Sequence, residues 1–365
     1  MRYLTLFGLV LVACAGAAQA QTSSCSAGFY DPAGGSNCIP APLGYYVAGT
    51  GATAPTPVST GYYTLTTASR AQVGGGMVSG GLNITVNGTR EVLRGLETTS
   101  TEDLLATVLS ASVQVSQPAL SGASSMQWSG QGVILQGQST QAGGFLAVMD
   151  QKLGPIGPGS GSAQLWMVGA TYRQIDDAMS WRTTVFTGES QTNLRRSVSE
   201  ANTPEQHTAI AKISVSGLEG AARLPVPNFG VDWLLQVGVT QFNQAEFAEE
   251  AQGTPAFYGL KVGAMSWQSL PWFTGLTHEW DKVEFRWGLT GDLSDTRNLE
   301  VSSRIFPVPS FDVPVGQPAA RAWLVLLKLK PWDVGGGMTL QGRLALESGP
   351  DSRASQMQVA LNKSW

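Results

Sequence analysis

Three side chains near the end of one predicted strand could carry acid and base chemistry. His278, Glu279 and Asp281 lie within four residues, and an imidazole beside carboxylates is a set that can move protons in catalysis. The stretch stands where an alternating strand enters a predicted turn. We interpret it as polar lining of a sheet wall or its interface, and no catalytic residue is predicted.

The other elements of a catalytic or metal site are absent from the sequence. There is no Gly-x-Ser-x-Gly nucleophile motif, and Gly291–Ser294, which resembles a lipase block, ends a predicted strand without the pattern that follows it in such enzymes. His207 and His278 are far apart in sequence, and no cysteine belongs to a metal-ligand cluster. The sequence therefore predicts a protein that is not an enzyme and has no cofactor.

The first 20 residues predict a secretory signal. Arg2 precedes the apolar run Leu4–Ala13, and the small residues Ala18 and Ala20 favour cleavage after Ala20. A lipoprotein-type cleavage with Cys14 as the acylated residue remains an alternative. Either route takes the chain out of the cytoplasm.

The composition points to a sheet with alternating apolar residues. Charged residues make up 13% of the chain, with 44 glycines and 11 tryptophans, yet no apolar run after the signal is long enough for a spanning helix. The net charge of -4 indicates no nucleic-acid partner.

Residues 21–70 predict a separate short module rich in cysteine, glycine and tyrosine. Cys25 and Cys38 fit one disulfide in an oxidising compartment. The repeated Gly-Phe-Tyr and Gly-Tyr-Tyr units resemble short cysteine-rich repeats of secreted proteins. The module is either a spacer with a small binding surface or a stalk that is otherwise disordered.

Residues 71–125 are interpreted as a linker. Alternation over residues 82–86, ending at Asn87 and Gly88, predicts a hairpin. A helix is predicted near residues 101–111, with Glu102 and Asp103 in its first turn and a leucine and valine stripe after them.

From residue 126 to residue 365 the period becomes two, which is typical of strands. Many of the tryptophans stand at segment ends, as in the interfacial girdles of membrane barrels. The fold class is therefore all-β, an antiparallel transmembrane β-barrel of about twelve strands. The twelve segments, each of about ten residues, are 128–138, 143–153, 164–174, 179–189, 208–218, 231–242, 257–267, 272–281, 283–292, 322–329, 338–347 and 356–365.

The last strand carries the clearest alternation. One face holds Met357, Val359, Leu361 and Trp365, and the other face is polar and uncharged. This segment resembles the terminal strand of bacterial outer-membrane proteins, which the barrel-insertion machinery reads. Lys363 departs from that pattern.

Several blocks in order resemble the translocator domain of monomeric autotransporters, among them residues 143–154, 207–224 and 228–242. The resemblance implies a barrel in the outer membrane of a Gram-negative-type bacterium, with lipid and the insertion machinery as partners. It also implies a lumen entered by the upstream helix and an N-terminal segment displayed outside. Four arginines could face the lumen and pair with Glu102 or Asp103, namely Arg286 and Arg343 together with Arg173 and Arg182.

The exported segment would be unusually short, with only about 80 residues between the signal and the helix, and the sequence names no ligand for it. Two other interpretations stay open. One is a barrel without a passenger, acting as a pore or structural protein with a periplasmic N-terminal module. The other is a soluble secreted adhesin built from sandwich domains.

Overall fold

The computed structural model describes sixteen stretches of the chain. The chain is divided into two compact units. One unit contains residues up to Ser59 together with Tyr63–Ala71, and the other contains Thr60–Tyr62 and Gln72–Trp365. The described residues are 25–42, 45–57, 62–64, 72–73, 75–96, 105–117, 121–136, 139–156, 159–176, 179–198, 205–252, 259–294, 298–303, 310–314, 321–349 and 353–364. The predicted signal and Cys14 lie outside them.

The first unit contains very short strands closed by one disulfide. Cys25 is bonded to Cys38 with their Cα atoms 5.4 Å apart, which confirms the predicted pairing. The buried carboxylate of Asp31 accepts hydrogen bonds from the backbone nitrogens of Ala33 and Asn37, both at 2.9 Å. Its strands are β1 (Phe29–Tyr30), paired with β2 (Ile39–Pro40), and β3 (Tyr45–Tyr46), paired with β4 (Thr56–Pro57). The chain continues through β5 (Tyr62–Tyr63) and β6 (Gln72–Val73).

A single helix is present among the described residues, and it lies upstream of the long strands. This helix, α1, spans Gly75–Leu96. Two predictions are therefore wrong. The hairpin expected at residues 82–88 is helical, and the helix expected near 101–111 is a strand from Leu105 onward. Residues 101–104 are outside the described part.

Local propensity explains why the sequence hid this helix. Six of its 22 residues are glycine, and it contains an Asn-Gly pair with threonine, valine and isoleucine, all of which are weak helix formers. The hydroxyls of Thr85 and Thr89 donate to the carbonyls four residues before them, each at 2.9 Å. Burial in the lumen of the second unit, described below, outweighs the low propensity.

The second unit contains the remaining strands. The first run is β7 (Leu105–Gln117), β8 (Ser121–Gln136), β9 (Thr140–Ile156), β10 (Gly159–Ile175), β11 (Ser180–Val198), β12 (Glu205–Val226) and β13 (Val231–Gln244). Short strands follow: β14 (Phe247–Ala248), β15 (Glu250–Gln252), β16 (Leu260–Val262) and β17 (Met265–Ser269). The last run is β18 (Pro271–Glu279), β19 (Val283–Asp292), β20 (Asn298–Ser303), β21 (Phe311–Pro314), β22 (Ala322–Leu329), β23 (Trp332–Gly335), β24 (Met338–Ser348) and β25 (Arg353–Ser364).

Twelve of the described strands pair in an unbroken antiparallel ring. Each of β7 to β12 pairs with the next strand, and from β13 the ring continues through β18, β19, β22, β24 and β25. It returns to its start because β25 pairs with β7, from Arg353 opposite Gln117 to Ser364 opposite Ala106. Such a ring satisfies the backbone groups of every strand without leaving a sheet edge.

The prediction of about twelve barrel strands agrees with the ring, but one of the twelve predicted segments is wrong. The segment 257–267 does not join the ring, since β16 and β17 belong to a long connection between β13 and β18. The missing member is β7, so the barrel begins at Leu105 rather than at residue 126. In β7 the residues Leu109, Ala111 and Val113 pair with Leu361, Val359 and Met357. Its leucine and valine spacing fits both periods, which is why a helix was expected there.

The two faces of the wall differ in chemistry. Along β9 to β25 the described side chains alternate between buried residues on the lumen face and exposed residues on the outer face. The outer face carries a broad band of large apolar side chains, which is the surface that lipid covers in a membrane barrel. Members of this band are Leu146, Trp166, Val168, Val185, Leu218, Trp233, Leu235, Val237, Trp323, Val325, Leu344, Leu346, Met357 and Val359.

Some of the tryptophans predicted as a girdle are exposed at the ends of this band, and others are not. Trp280 and Trp332 are exposed at one end and Trp323 at the other, whereas Trp166 is exposed in the middle of β10. Trp267 was expected in the same girdle but is buried, and its ring stacks on Phe242 with a centroid distance of 5.3 Å. It belongs to an inserted strand and not to a ring strand, so that expectation is wrong for Trp267.

The two ends of the barrel also differ. At the turn end, where β7 starts and β25 stops, the connections after β10, β12 and β18 are three or four residues long. At the insert end, two long connections lead from β13 to β18 and from β19 to β22. The predicted strands of about ten residues are too short for β12, which has 22 residues. Toward the insert end its neighbour β11 carries the exposed polar residues Gln191, Asn193 and Arg195, as expected for wall that stands above the apolar band.

The two long connections form a small sheet of their own at the insert end. β14, β16, β20 and β21 pair in that order. We call this four-stranded sheet the cap. Its apolar residues Leu260, Val262, Leu299, Val301 and Val313 are buried.

Candidate functional site in the barrel lumen

Helix α1 is enclosed by the barrel. Its residues from Gly80 to Leu93 are buried, except for three of intermediate exposure. It contacts the inner faces of β9, β10, β11 and β12, and it also contacts β21 of the cap. A helix buried on almost all sides needs small residues, because both the wall and the cap must approach its backbone.

Glycines allow the closest approach between α1 and the wall. A Cβ atom at Gly88 would lie 2.6 Å from Oε1 of Gln151 and 3.0 Å from Cδ2 of Leu165. At Gly81 a Cβ atom would meet Thr192 at 3.5 Å and Ala211 at 3.6 Å, which is ordinary contact. Gly88 is therefore the point at which the helix fits the wall most tightly.

One ion pair joins the helix to the insert end. Nη2 of Arg90 lies 2.6 Å from Oδ2 of Asp292, whose side chain is 1% exposed. Oδ1 of Asp292 accepts hydrogen bonds from the nitrogens of Leu270 and Ser294, both at 2.9 Å, and Ser269 donates its hydroxyl to Oδ2. This carboxylate thus ties α1 to the residues where one long connection ends and the other begins.

A second buried ion pair holds the first connection against the wall. Nε of Arg196, on β11, donates to Oε1 of Glu249 at 2.9 Å, and Nη2 of Arg196 donates to Oε2. The same carboxylate accepts from the nitrogen of Leu260 at 3.0 Å. His207 lies 4.0 Å from it and is buried. A buried, paired and hydrogen-bonded charge of this kind fixes one arrangement of the chain.

Nearer the turn end the lumen wall carries a strip of alternating charges. Arg223 lies 3.2 Å from Asp232, 2.9 Å from Glu279 and 3.8 Å from Glu284. Glu284 is also paired with Arg286 and, at 3.5 Å, with Lys328. The strip crosses β12, β13, β18, β19 and β22, so it makes this part of the lumen wet and polar.

The sequence-predicted site residues fall in three groups. Arg286 and Arg343 lie on the lumen face, where Arg286 pairs with Glu284. Met357 and Val359 are exposed on the outer face of β25, on which Leu361 also lies. The remaining candidates, Glu102, Asp103 and Trp365, lie outside the described residues, so the proposed pairing of the two arginines with the helix stays a prediction.

The possible acid and base set is split between the two faces. Nδ1 of His278 lies 2.7 Å from the carbonyl oxygen of Gly230, whereas Glu279 pairs with Arg223 on the lumen side. Asp281 is exposed in the turn. The three groups therefore do not converge on one point.

The lumen contains empty space beside α1. Thr89, Arg90 and Leu93 form one side of a cleft that encloses about 920 Å³, counted together with the solvent into which it opens. The opposite side is wall from β12, β13, β18, β19, β22 and β24. Phe273, Leu324 and Leu326 give this wall an apolar surface, and Glu347 lies next to Leu324 on the neighbouring strand.

The functional contacts that sequence reasoning missed are those of α1. Arg90, Gly88 and Asp292 could not be connected because the helix itself was not predicted. The signal that could have found it is the run of small residues with threonine at 85 and 89, spaced to bond back to the preceding turn.

No cluster of histidine, cysteine, aspartate or glutamate in the described stretches could hold a metal ion. Among these same residues no helix is long and apolar enough to cross a membrane.

No protein-family model matches this chain, and no curated protein matches it by sequence. Solved structures do match. The translocator domain of the autotransporter NalP from Neisseria meningitidis is 13% identical, with a TM-score of 0.56 over 80% of this chain and 98% of its own. The β-domain of the Bordetella autotransporter BrkA is 13% identical over 72% and 98% of the two chains, with a TM-score of 0.44. The monoaromatic hydrocarbon channel CymD is 10% identical over 73% and 89%, with a TM-score of 0.47.

The NalP domain confirms the predicted fold class and the resemblance to a translocator barrel. The chain is an outer-membrane type of β-barrel, antiparallel, with one helix upstream of its strands.

Proposed function

We propose that this protein resides in the outer membrane and that its barrel anchors and exports the short N-terminal segment, residues 21–70. The observation that carries the proposal is α1, which is enclosed in the lumen immediately before the first ring strand. If the segment before the helix leaves through the barrel, the helix that follows it remains in the lumen, which is where α1 lies.

The ends of the barrel support a direction for this passage. The contacts of α1 with Thr192, Ala211 and Asp292 lie in the half next to the insert end, whereas β7 begins at the turn end. Because the chain that follows the helix enters the wall at the turn end, the insert end is left as the exit for the segment before the helix. In outer-membrane barrels the short turns are periplasmic and the longer connections extracellular. The exported segment would then emerge at the cell surface.

The proposal assigns no catalytic chemistry to the chain. The barrel supplies a lipid-facing wall, a polar lumen and a helix seat, and it needs no cofactor for these tasks. Outer-membrane lipid and the barrel-insertion machinery, which would read β25, are the partners it requires.

Whole-cell proteolysis tests the direction. An epitope placed after Cys38 should be lost when intact cells are treated with a protease that cannot cross the outer membrane. The matched control is the same epitope in the turn at Asn228, which should be degraded only after the membrane is permeabilised. Protection of the Cys38 epitope in intact cells, with the Asn228 epitope also protected, would contradict export.

The cleft beside α1 favours a second candidate, a small-solute pore without a passenger. In that case residues 21–70 stay periplasmic, so the Cys38 epitope resists protease on intact cells. Planar-bilayer conductance would then be present without any surface exposure of the module.

A further inference from the structure

We propose that the lumen cleft beside α1 is a binding site for small organic cations that have an apolar body, such as aromatic or alkyl amines. This goes beyond anchoring and export, because neither task requires a bound small molecule. The cleft is lined by one part of α1 and by the opposite wall of the barrel.

The apolar half of the site is a patch on the lumen wall. Phe273, Leu324 and Leu326 line the cleft, and they belong to one cluster of apolar side chains that Leu234 and Ala345 complete behind them. Lumen faces of membrane barrels are commonly polar. A patch of this kind beside open space offers a surface that an apolar ligand body can cover, which removes apolar area of both partners from water.

One carboxylate of the cleft has no ion-pair partner among the described residues. Arg90 is paired with Asp292, Arg286 with Glu284, and Glu219 with Arg182 at 2.9 Å. Within the part of the chain that the structure describes, Glu347 is the charged residue of the cleft that forms no ion pair. The other charged side chains of the cleft already have partners, so Glu347 is the carboxylate that a bound cation could pair with.

The position of Glu347 suits an amphipathic cation. It lies opposite Leu324 in the pairing of β22 with β24, on the same lumen face. A ligand could therefore place its ammonium group at Glu347 and its apolar body on Leu324 and Leu326. The aromatic ring of Phe273, which also lines the cleft, can attract a cation through its face.

Hydroxyl and amide groups complete the site. Thr240, Thr290 and Gln236 line the same space. Their oxygens can accept hydrogen bonds from an ammonium group, and this distinguishes a primary amine from a purely apolar molecule. The site thus discriminates by charge first and by donor groups second.

Titration calorimetry on the full chain in lipid nanodiscs tests the proposal with 2-phenylethylammonium as the probe. The neutral 2-phenylethanol has the same apolar body and serves as the comparison ligand. We expect saturable binding of the cation at low ionic strength and at least tenfold weaker binding of the alcohol. Glu347→Gln should weaken cation binding by about tenfold and leave the alcohol unchanged.

Two further variants make the result decisive. Glu300→Gln removes an exposed carboxylate of the cap and should bind the cation like the natural chain. Leu326→Trp fills the cleft and should abolish binding of both probes. Three results would each overturn the proposal. They are equal affinities for the cation and the alcohol, an unchanged cation affinity in Glu347→Gln, and full binding of the probes by Leu326→Trp. A gel shift on heating identifies variants that have not formed the barrel. If Glu347→Gln does not fold, the conservative Glu347→Asp is measured instead, and if Leu326→Trp does not fold, Leu326→Phe takes its place.

Discussion

At the scale of single residues, the fit between α1 and the wall depends on where a methyl group can be added. An alanine in a helix is worth about 1 kcal/mol over glycine through backbone entropy alone. Overpacking a filled site costs about 1 to 3 kcal/mol. Gly88 and Gly81 lie in the same helix, and they separate these two effects because only Gly88 is in tight contact.

We expect Gly88→Ala to destabilise the seated helix and Gly81→Ala to stabilise it. At Gly88 the new methyl group would meet Gln151, which is 3% exposed and therefore has little room to move, as well as Leu165. At Gly81 the added atom would make only ordinary contacts with Thr192 and Ala211. The thermal midpoint of barrel unfolding, followed by the gel shift on heating, should fall for the first variant and rise for the second. Equal midpoints would show that α1 does not fit the wall as described.

The same scale shows what sequence could and could not reveal. The outer residues Met357 and Val359 were predicted from alternation, because a strand between lipid and water must place its apolar groups on every second position. The pairs Arg90 with Asp292 and Arg196 with Glu249 could not be predicted, because each joins residues that only the ring and the long connections bring together. Charge partners distant in sequence leave no periodic signal.

At the scale of elements, two predictions are reversed. The segment predicted to form a hairpin is helix α1, and the segment predicted to form a helix is strand β7. β7 contains leucine and valine at spacings that fit a helix stripe, whereas α1 contains six glycines and a turn-like Asn-Gly pair. Local propensity favours the opposite assignment in both cases. Tertiary context decides: β7 closes the ring against β25, and α1 lies where the lumen admits only small residues.

The Arg90 contact predicts how firmly α1 is held. Removing one partner of a buried pair leaves an uncompensated charge, at a cost of about 3 to 5 kcal/mol when both partners are fully buried. Arg90 is 23% exposed, so Arg90→Ala should cost less, but it should still loosen α1. We expect a higher conductance or more frequent large openings in planar bilayers.

A matched control comes from the cap. Lys261 and Glu246 also form an ion pair at 2.9 Å, but both side chains are about half exposed. An exposed pair contributes about 0 to 1 kcal/mol. Lys261→Ala should therefore leave the conductance unchanged. If the two variants conduct alike, the Arg90 pair does not hold the helix in the lumen.

At the scale of the whole molecule, stability in the membrane depends on the outer apolar band. Val359 lies near the middle of β25 and is 42% exposed on the outer face. Val359→Arg places a charge against lipid, at a cost of about 2 to 4 kcal/mol near the bilayer midplane. We expect a smaller fraction of folded, heat-shifting barrel in the outer membrane fraction.

Asn193 provides the comparison for that experiment. It is exposed on the outer face of β11, among polar residues toward the insert end. Because this part of the wall stands above the apolar band, Asn193→Arg should fold as well as the natural chain. Similar losses for both variants would mean that the band does not mark the lipid-facing surface.

The pairing of β25 with β7 has a consequence for biogenesis. β25, which closes the ring, is the last of the twelve ring strands in chain order, and its partner β7 is the first. Contacts between strands so far apart in the chain form slowly. Until they form, the open sheet exposes two unpaired edge strands that can aggregate. A product that lacks β25 would thus be unable to close the ring, and each partly synthesised copy must be protected from aggregation until this strand has been made.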